Sequence, residues 1–160
     1  MTVTLIPMTQ DDFAHYTSKS ILVYADEKVE AGTWTKEEAP EKAEKEFERL
    51  LPEGLDSENQ FLYAITKIED KKKVGWLWYR FDPSHRQKEA FIFDIFIFDE
   101  LQGQDYGKAA LQELDDHALA NGIEKISLHV FAHNRRAINL YEKLDYEAKD
   151  IIMSKLLNKG

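Results

Sequence analysis

Apolar and polar positions change their period at a few definite places along the chain, and each change predicts an element. Residues 2–6, "TVTLI", read as a short first strand. From Asp11 to Val29 the spacing is helical, with Phe13, Tyr16, Ile21, Tyr24 and Ala25 roughly on one side. A second helix follows in "TWTKEEAPEKAEKEFERLLPEG". Thr35 and Glu38 have the spacing of a capping box, while Pro40 is suited to open the helix as its first residue. Ala39, Ala43, Phe47 and Leu50 or Leu51 make the buried stripe, and the charge run is a solvated face.

The period then shortens to that of a strand. "QFLYAITKI" and "KVGWLWYRF" read as two strands joined by the polar turn "EDKKK". Glu89 to Phe98, "EAFIFDIFIF", is a third, apolar on both faces and therefore expected at the centre of a covered sheet. The loop "DELQGQD" leads into a helix from about Asp105 to Asn121, which Gly122 is placed to stop in a left-handed conformation. "EKISLHVFA" is the next strand, a helix runs from about Arg135 to Leu144, and "EAKDIIMSKLL" closes the pattern as one more strand. The strands on either side of the helix at 105–121 should run parallel through a right-handed crossover. The expected fold is a mixed α/β sheet covered by helices, in a single domain over residues 1–160 without repeats or linkers.

Composition narrows the function. A chain of 160 residues, 43% apolar, can bury a core without staples. It has no cysteine, which excludes disulfides, thiolate catalysis and Cys-based zinc sites and fits a reducing cytoplasm, the expected location. "MTVTLIPMTQDDF" lacks the pattern of a signal peptide, and no apolar run approaches the roughly 20 residues of a membrane helix. A net charge of −9 argues against nucleic-acid partners and suits cationic substrates such as amines.

Two stretches could carry chemistry. "LQGQDYGKAAL" lies between a strand and a helix start, where unpaired N–H groups and the helix dipole favour a phosphate, although a plain strand-to-helix turn looks the same. In "HVFAHNRRAINLYEKLDY", His129 to Tyr146, Tyr141 falls two helical turns after Asn134 and on the same face. A core helix would more often use Leu there. A phenol can deliver a proton, or it can be a half-buried aromatic.

Taken in order, the strand 89–98, the glycine loop and its helix, the strand 124–132 and the Asn…Ala…Tyr helix resemble the GNAT superfamily of acyl-CoA-dependent N-acetyltransferases, best from Phe91 to Tyr146. The family's phosphate loop, [Q/R]-x-x-G-x-[G/A], matches literally at Gln104, Gly107 and Ala109, and in a second register at Gln102, Asp105 and Gly107. The second keeps the usual spacing from Ile97 and is preferred, at the cost of a carboxylate where the family has glycine. The resemblance implies a sheet of about six to seven strands with four flanking helices and splayed central parallel strands. It implies that Gln102, Gly103, Gln104, Asp105, Tyr106, Gly107 and Lys108 hold the pyrophosphate of acetyl-CoA, with Arg135 and Arg136 as nearby cations. Asn134, Ala137, Leu140, Tyr141, Glu142 and Lys143 match the second motif, in which the Asn contacts pantetheine and the Tyr protonates the departing thiolate. A backbone N–H near Ile97 or Phe98 would polarise the thioester carbonyl.

Two residues compete as the base, beside a water chain. His129 lies on the strand next to the acceptor site and Asp94 in the middle of a very apolar strand, and each could equally be a structural hydrogen-bonding group. His129 and His133 lack a third ligand, so no metal is expected. The expected activity is transfer of an acetyl group from acetyl-CoA to a primary amine of a small molecule or peptide. The alternative is a non-catalytic CoA-binding or interaction module on the same fold. Dimers are frequent among similar proteins, so a homodimer is a further candidate assembly.

Overall fold

A computed structural model describes residues 2–158. Its sheet has five strands, ordered in space as in the chain: β1 (Val3–Pro7), β2 (Gln60–Lys67), β3 (Lys73–Arg80), β4 (Glu89–Ile97) and β5 (Lys125–Leu128). Neighbours are antiparallel from β1 to β4, and β4 and β5 are parallel. Between β1 and β2 come α1 (Gln10–Glu30) and α2 (Ala39–Leu50). The helix α3 (Tyr106–Ala120) makes the β4–β5 crossover, and α4 (Arg135–Lys143) follows β5.

Local sequence sets the helix ends. Thr9 and Asp12 form a reciprocal capping box at the start of α1, with bonds of 3.1 and 3.0 Å. At α2 both expected signals operate in succession. Thr35 and Glu38 exchange two 3.3 Å bonds in the preceding turn, and Pro40 occupies the first helical turn, where a missing N–H costs nothing. Gly122, with φ of +77°, ends the turn after α3 as expected.

The sheet is covered on both faces. Ile65, Leu77, Tyr79 and Ile92 pack with Tyr106, Ala110, Leu111 and Leu114 of α3. Leu62, Ala64, Trp76 and Trp78 pack on the other side with Tyr16 of α1, Phe47 of α2 and Leu51. The strand buried throughout its middle is β3, from Val74 to Tyr79, not β4.

Two strand expectations need correction. The sheet has five strands rather than six to seven. Residues 147–157 form no strand and are exposed, and β5 stops at Leu128 rather than running to Ala132. A period of two shows that a segment is able to pair; it does not supply the neighbour that makes it a strand.

Candidate active site

The site begins where β4 and β5 separate. They pair only from Glu89–Lys125 to Ile92–Leu128. Beyond Ile92, β4 has no neighbour on that side, and a cleft of about 1510 Å³ opens from the start of α3 past β4 to α1. Antiparallel pairing on the other side decides which amides face it. The Phe98 N–H donates to Val74 O at 2.9 Å, which makes that couple a hydrogen-bonded pair. The adjacent couple, Gly75 and Ile97, must then aim its amides away from the β3–β4 interface. Of the two expected donors, only Ile97 therefore faces the gap; Phe98 contributes its side chain to the cleft wall.

A bulge in β4 sets the floor. Trp78 is opposite Asp94, but Tyr79 is opposite Ile92, so Phe93 is the extra residue. Its effect is to turn two consecutive side chains toward α1 and α2. The Phe93 ring lies 4.7 Å from that of Trp78, and the Asp94 carboxylate accepts a 2.8 Å hydrogen bond from the Tyr16 hydroxyl.

At the other end, the loop before α3 is built from left-handed residues. Gly103 has φ of +83° and Asp105 has φ of +66°. Asp105 occupies the position before the first helical residue, but its side chain makes no capping bond, contrary to the ordinary role of Asp there. A left-handed conformation is the one glycine adopts most easily, and in the register Gln102–Asp105–Gly107 it is Asp105 that stands at the family's glycine position. A Cβ on Gly107 would press to 3.3 Å from Leu140 Cδ2, so that glycine lets α3 approach α4. A Cβ on Gly103 would lie 3.6 Å from the Arg136 guanidinium, which brings the start of α4 beside the loop. The Gln102 side chain donates to Ile97 O at 2.9 Å and ties the loop to the end of β4.

The expected ligand residues separate into groups. Gln102, Gly103, Asp105, Gly107, Lys108, Asn134, Arg136 and Ala137 line the cleft, whereas Gln104 is exposed outside it. Tyr106 touches the cleft but spends most of its side chain in the core against the sheet. Asn134 caps α4, its Oδ1 accepting the Ala137 N–H at 3.2 Å. That bond uses the carbonyl of the Asn side chain and leaves its NH₂ group for a ligand.

Three acids and a histidine surround the middle of the cleft. Asp94 sits at its floor, where burial raises its carboxyl to about 6 against the opposing bonds from Tyr16 and the Ile95 N–H. Tyr141 is half-buried on α4; burial first, then the negative charges of Asp94 and Glu27, push its phenol up to about 12. Glu27 of α1 is raised by burial and by Asp94, partly offset by His133. His129 is exposed on the cleft wall, held below its usual value by burial and Lys28, with its ring edge-on to Phe131 at 4.8 Å.

A profile described as "Acetyltransferase (GNAT) family" matches residues 23–146. The chain belongs to the GNAT acetyltransferase family. It is 43% identical to YycN of Bacillus subtilis, named as an uncharacterized N-acetyltransferase, over 98% of this chain and 100% of that one. It is 40% identical to YdgE of the same organism, also named as an uncharacterized N-acetyltransferase, over 98% and 99% of the two chains. The crystal structure of YycN superposes with a TM-score of 0.94, at 42% identity, over 99% and 100% of the two chains. The GNAT architecture is thus shared along essentially the whole chain.

Within this GNAT cleft, Tyr16 bonds Asp94 and Glu27 lies near it, whereas the sequence showed Tyr16 only as one residue of an apolar helix face. Both lie on α1, whose helical spacing also brings Ser20, Val23 and Tyr24 to the cleft wall. The signal was a helix face that continues past its apolar part into Glu27. Nothing in the residue pattern says that Asp94 lies beneath it.

Proposed function

We propose that this GNAT protein moves the acetyl group of acetyl-CoA to a primary amine, which attacks the thioester directly while both substrates are bound. The observation that carries this reading is the parting of β4 from β5 at Ile92, with Tyr141 and Asp94 facing the same opening. The cleft's chemistry suits the donor. The first N–H groups of α3 and the cations Lys108 and Arg136 attract the pyrophosphate, and the exposed edge of β4 offers backbone groups to an extended pantetheine arm. Asp99, Glu100 and Asp105 are the opposing charges at that end.

The proton balance follows from the environments. Asp94, raised to about 6, is mostly ionised at neutral pH, and its carboxylate takes the proton that the attacking neutral amine sheds once its nitrogen is bonded to the carbonyl carbon, directly or through water. Tyr141, pushed up to about 12, keeps its proton until negative charge develops on a leaving sulfur. The nitrogen–carbon bond forms, the carbon–sulfur bond breaks, the amine's proton goes toward Asp94, and the phenol's proton goes to the thiolate. Ile97 N–H stands as the oxyanion donor. His129, exposed on the cleft wall and shifted away from the charged form by burial and Lys28, is the alternative base.

The amine end is acidic and aromatic. Glu27, Asp94 and Glu46 line it together with Tyr24, Phe47, Trp78, Phe93 and Phe131, and Lys28 lies over the Tyr24 and Phe131 rings. Carboxylates among ring faces favour a cationic amine with an apolar neighbour over a purely polar polyamine. The test is thiol release from acetyl-CoA across a panel of amines, beside calorimetric binding of acetyl-CoA. Turnover with at least one amine supports the enzyme. Tight acetyl-CoA binding with no acetylated amine in a broad panel would leave only the CoA-binding module.

A further inference from the structure

At the amine end of the cleft, one cation is held by rings rather than by acids. Lys28 is half-buried in the last turn of α1 and lines the cleft. Its Nζ lies 5.4 Å from the centre of the Trp34 ring, 5.6 Å from that of Tyr24 and 6.0 Å from that of Phe131. The rings come from α1 itself, from the turn before α2 and from the segment after β5. Among the described residues, no carboxylate comes within ion-pair distance of Lys28. The acids around it are engaged elsewhere: Glu46 pairs with Arg49, and Glu30 lies 3.7 Å from His133. A lysine in the last turn also offsets the helix dipole, but it does so equally well from open water. The dipole therefore leaves the three rings unexplained.

We propose that Lys28 anchors a carboxylate of the acceptor, so that the preferred acceptor is an amino carboxylate with its amine toward Asp94 and its acid group at Lys28. The inference rests on the reading of this cleft as a site of amine acetylation. Ring faces hold the ammonium in place but leave its N–H donors unpaired. An arriving anion meets a cation already positioned, so little freedom is lost on binding. Charge-assisted bonds also gain strength where water is partly excluded. The charge of Lys28 reaches the opposite wall, where it adds to burial in holding His129 below its usual value. A second cation on the acceptor would meet Lys28 as a like charge, which disfavours plain diamines. The linker between the acceptor's two charges is apolar, because a row of rings runs from Lys28 toward Asp94. Tyr24 and Phe47 are 6.1 Å apart, Phe47 and Trp78 5.5 Å, and Trp78 and Phe93 4.7 Å.

The test compares matched acceptors on the full chain: phenylalanine against phenethylamine, β-alanine against ethylamine, and glycylphenylalanine against its amide. At least one acid should exceed its uncharged counterpart in kcat/KM by about tenfold or more, the range of one hydrogen-bonded charge. Lys28→Met, which keeps the stem over the rings, should bring that ratio close to one, with the loss in KM rather than kcat. Lys28→Arg should restore part of the preference. Calorimetry of the same pairs with CoA bound reads the anchor without chemistry, and there too Lys28→Met should erase the difference. Turnover of amines with no gain from a carboxylate, or a gain that survives Lys28→Met, overturns the proposal and leaves the acetyl-transfer reading standing. Failure to acetylate any amine counts against that reading instead, and the calorimetric comparison then decides on Lys28: equal binding of acid and counterpart overturns it.

Discussion

Tyr16 and Asp94, 78 residues apart in the chain, are joined by a 2.8 Å hydrogen bond from the phenol to the carboxylate at the floor of the cleft. The bond favours the charged form of a carboxyl that burial pushes the other way, and the balance leaves Asp94 at about 6. Removing the phenol should therefore raise Asp94 further. In Tyr16→Phe, the acid limb of the kcat/KM profile should move to higher pH, and in Asp94→Asn that limb should vanish. A limb unchanged in both variants would remove Asp94 from proton transfer.

The same shift predicts a stability effect. The folded protein holds the Asp94 proton more tightly than the unfolded chain, whose carboxyl titrates near the ordinary 3.8. The stabilisation is complete below that value and is lost as pH rises through about 6. Asp94→Asn, which keeps an acceptor for Tyr16, should gain on the wild type over this range by on the order of 2 kcal/mol, the cleft's water reducing the full effect. Thermal melts across the range measure it.

Tyr141→Phe removes a proton donor without removing a ring. Turnover should fall at least about tenfold while calorimetry shows acetyl-CoA binding retained. Wild-type turnover in this variant would exclude Tyr141 as the acid.

Asp105→Gly replaces a left-handed non-glycine residue and deletes a negative charge beside the start of α3. Acetyl-CoA affinity should rise by about two- to fivefold, the range expected for one charge at a helix N-terminus. The melting temperature should not fall, because glycine adopts this conformation freely. Weaker binding would return the loop to the register Gln104–Gly107–Ala109.

Glu27→Gln should raise KM for the amine with little change in the affinity for acetyl-CoA, since Glu27 lines only the α1 end of the cleft. Equal losses on both substrates in steady-state kinetics would point to a structural role instead.

Gly75→Ala tests the backbone beneath the site. An added Cβ would lie 2.1 Å from Phe96 O, so β3 and β4 would have to move apart. A loss of at least about 2 kcal/mol in denaturant unfolding is expected.

The family and the helices were legible along the chain because their signals are local. Thr35, Glu38 and Pro40 mark the start of α2, Gly122 marks the end of α3, and the spacing from Asn134 to Tyr141 brings a phenol one face along α4. Such signals depend on residues within a turn or two of one another, where the covalent chain fixes the distance. Relationships between distant segments were not legible. The apolar stretches at 129–132 and 147–157 read as strand, but pairing requires a neighbour that the segment itself does not encode. The bulge at Phe93, the turning of the Ile97 amide into the gap, and the place of Glu27 above Asp94 all depend on how β3, β4 and α1 meet. Those meetings arise from packing across the whole sheet, and they raise the carboxyl in the middle of an apolar strand to about 6.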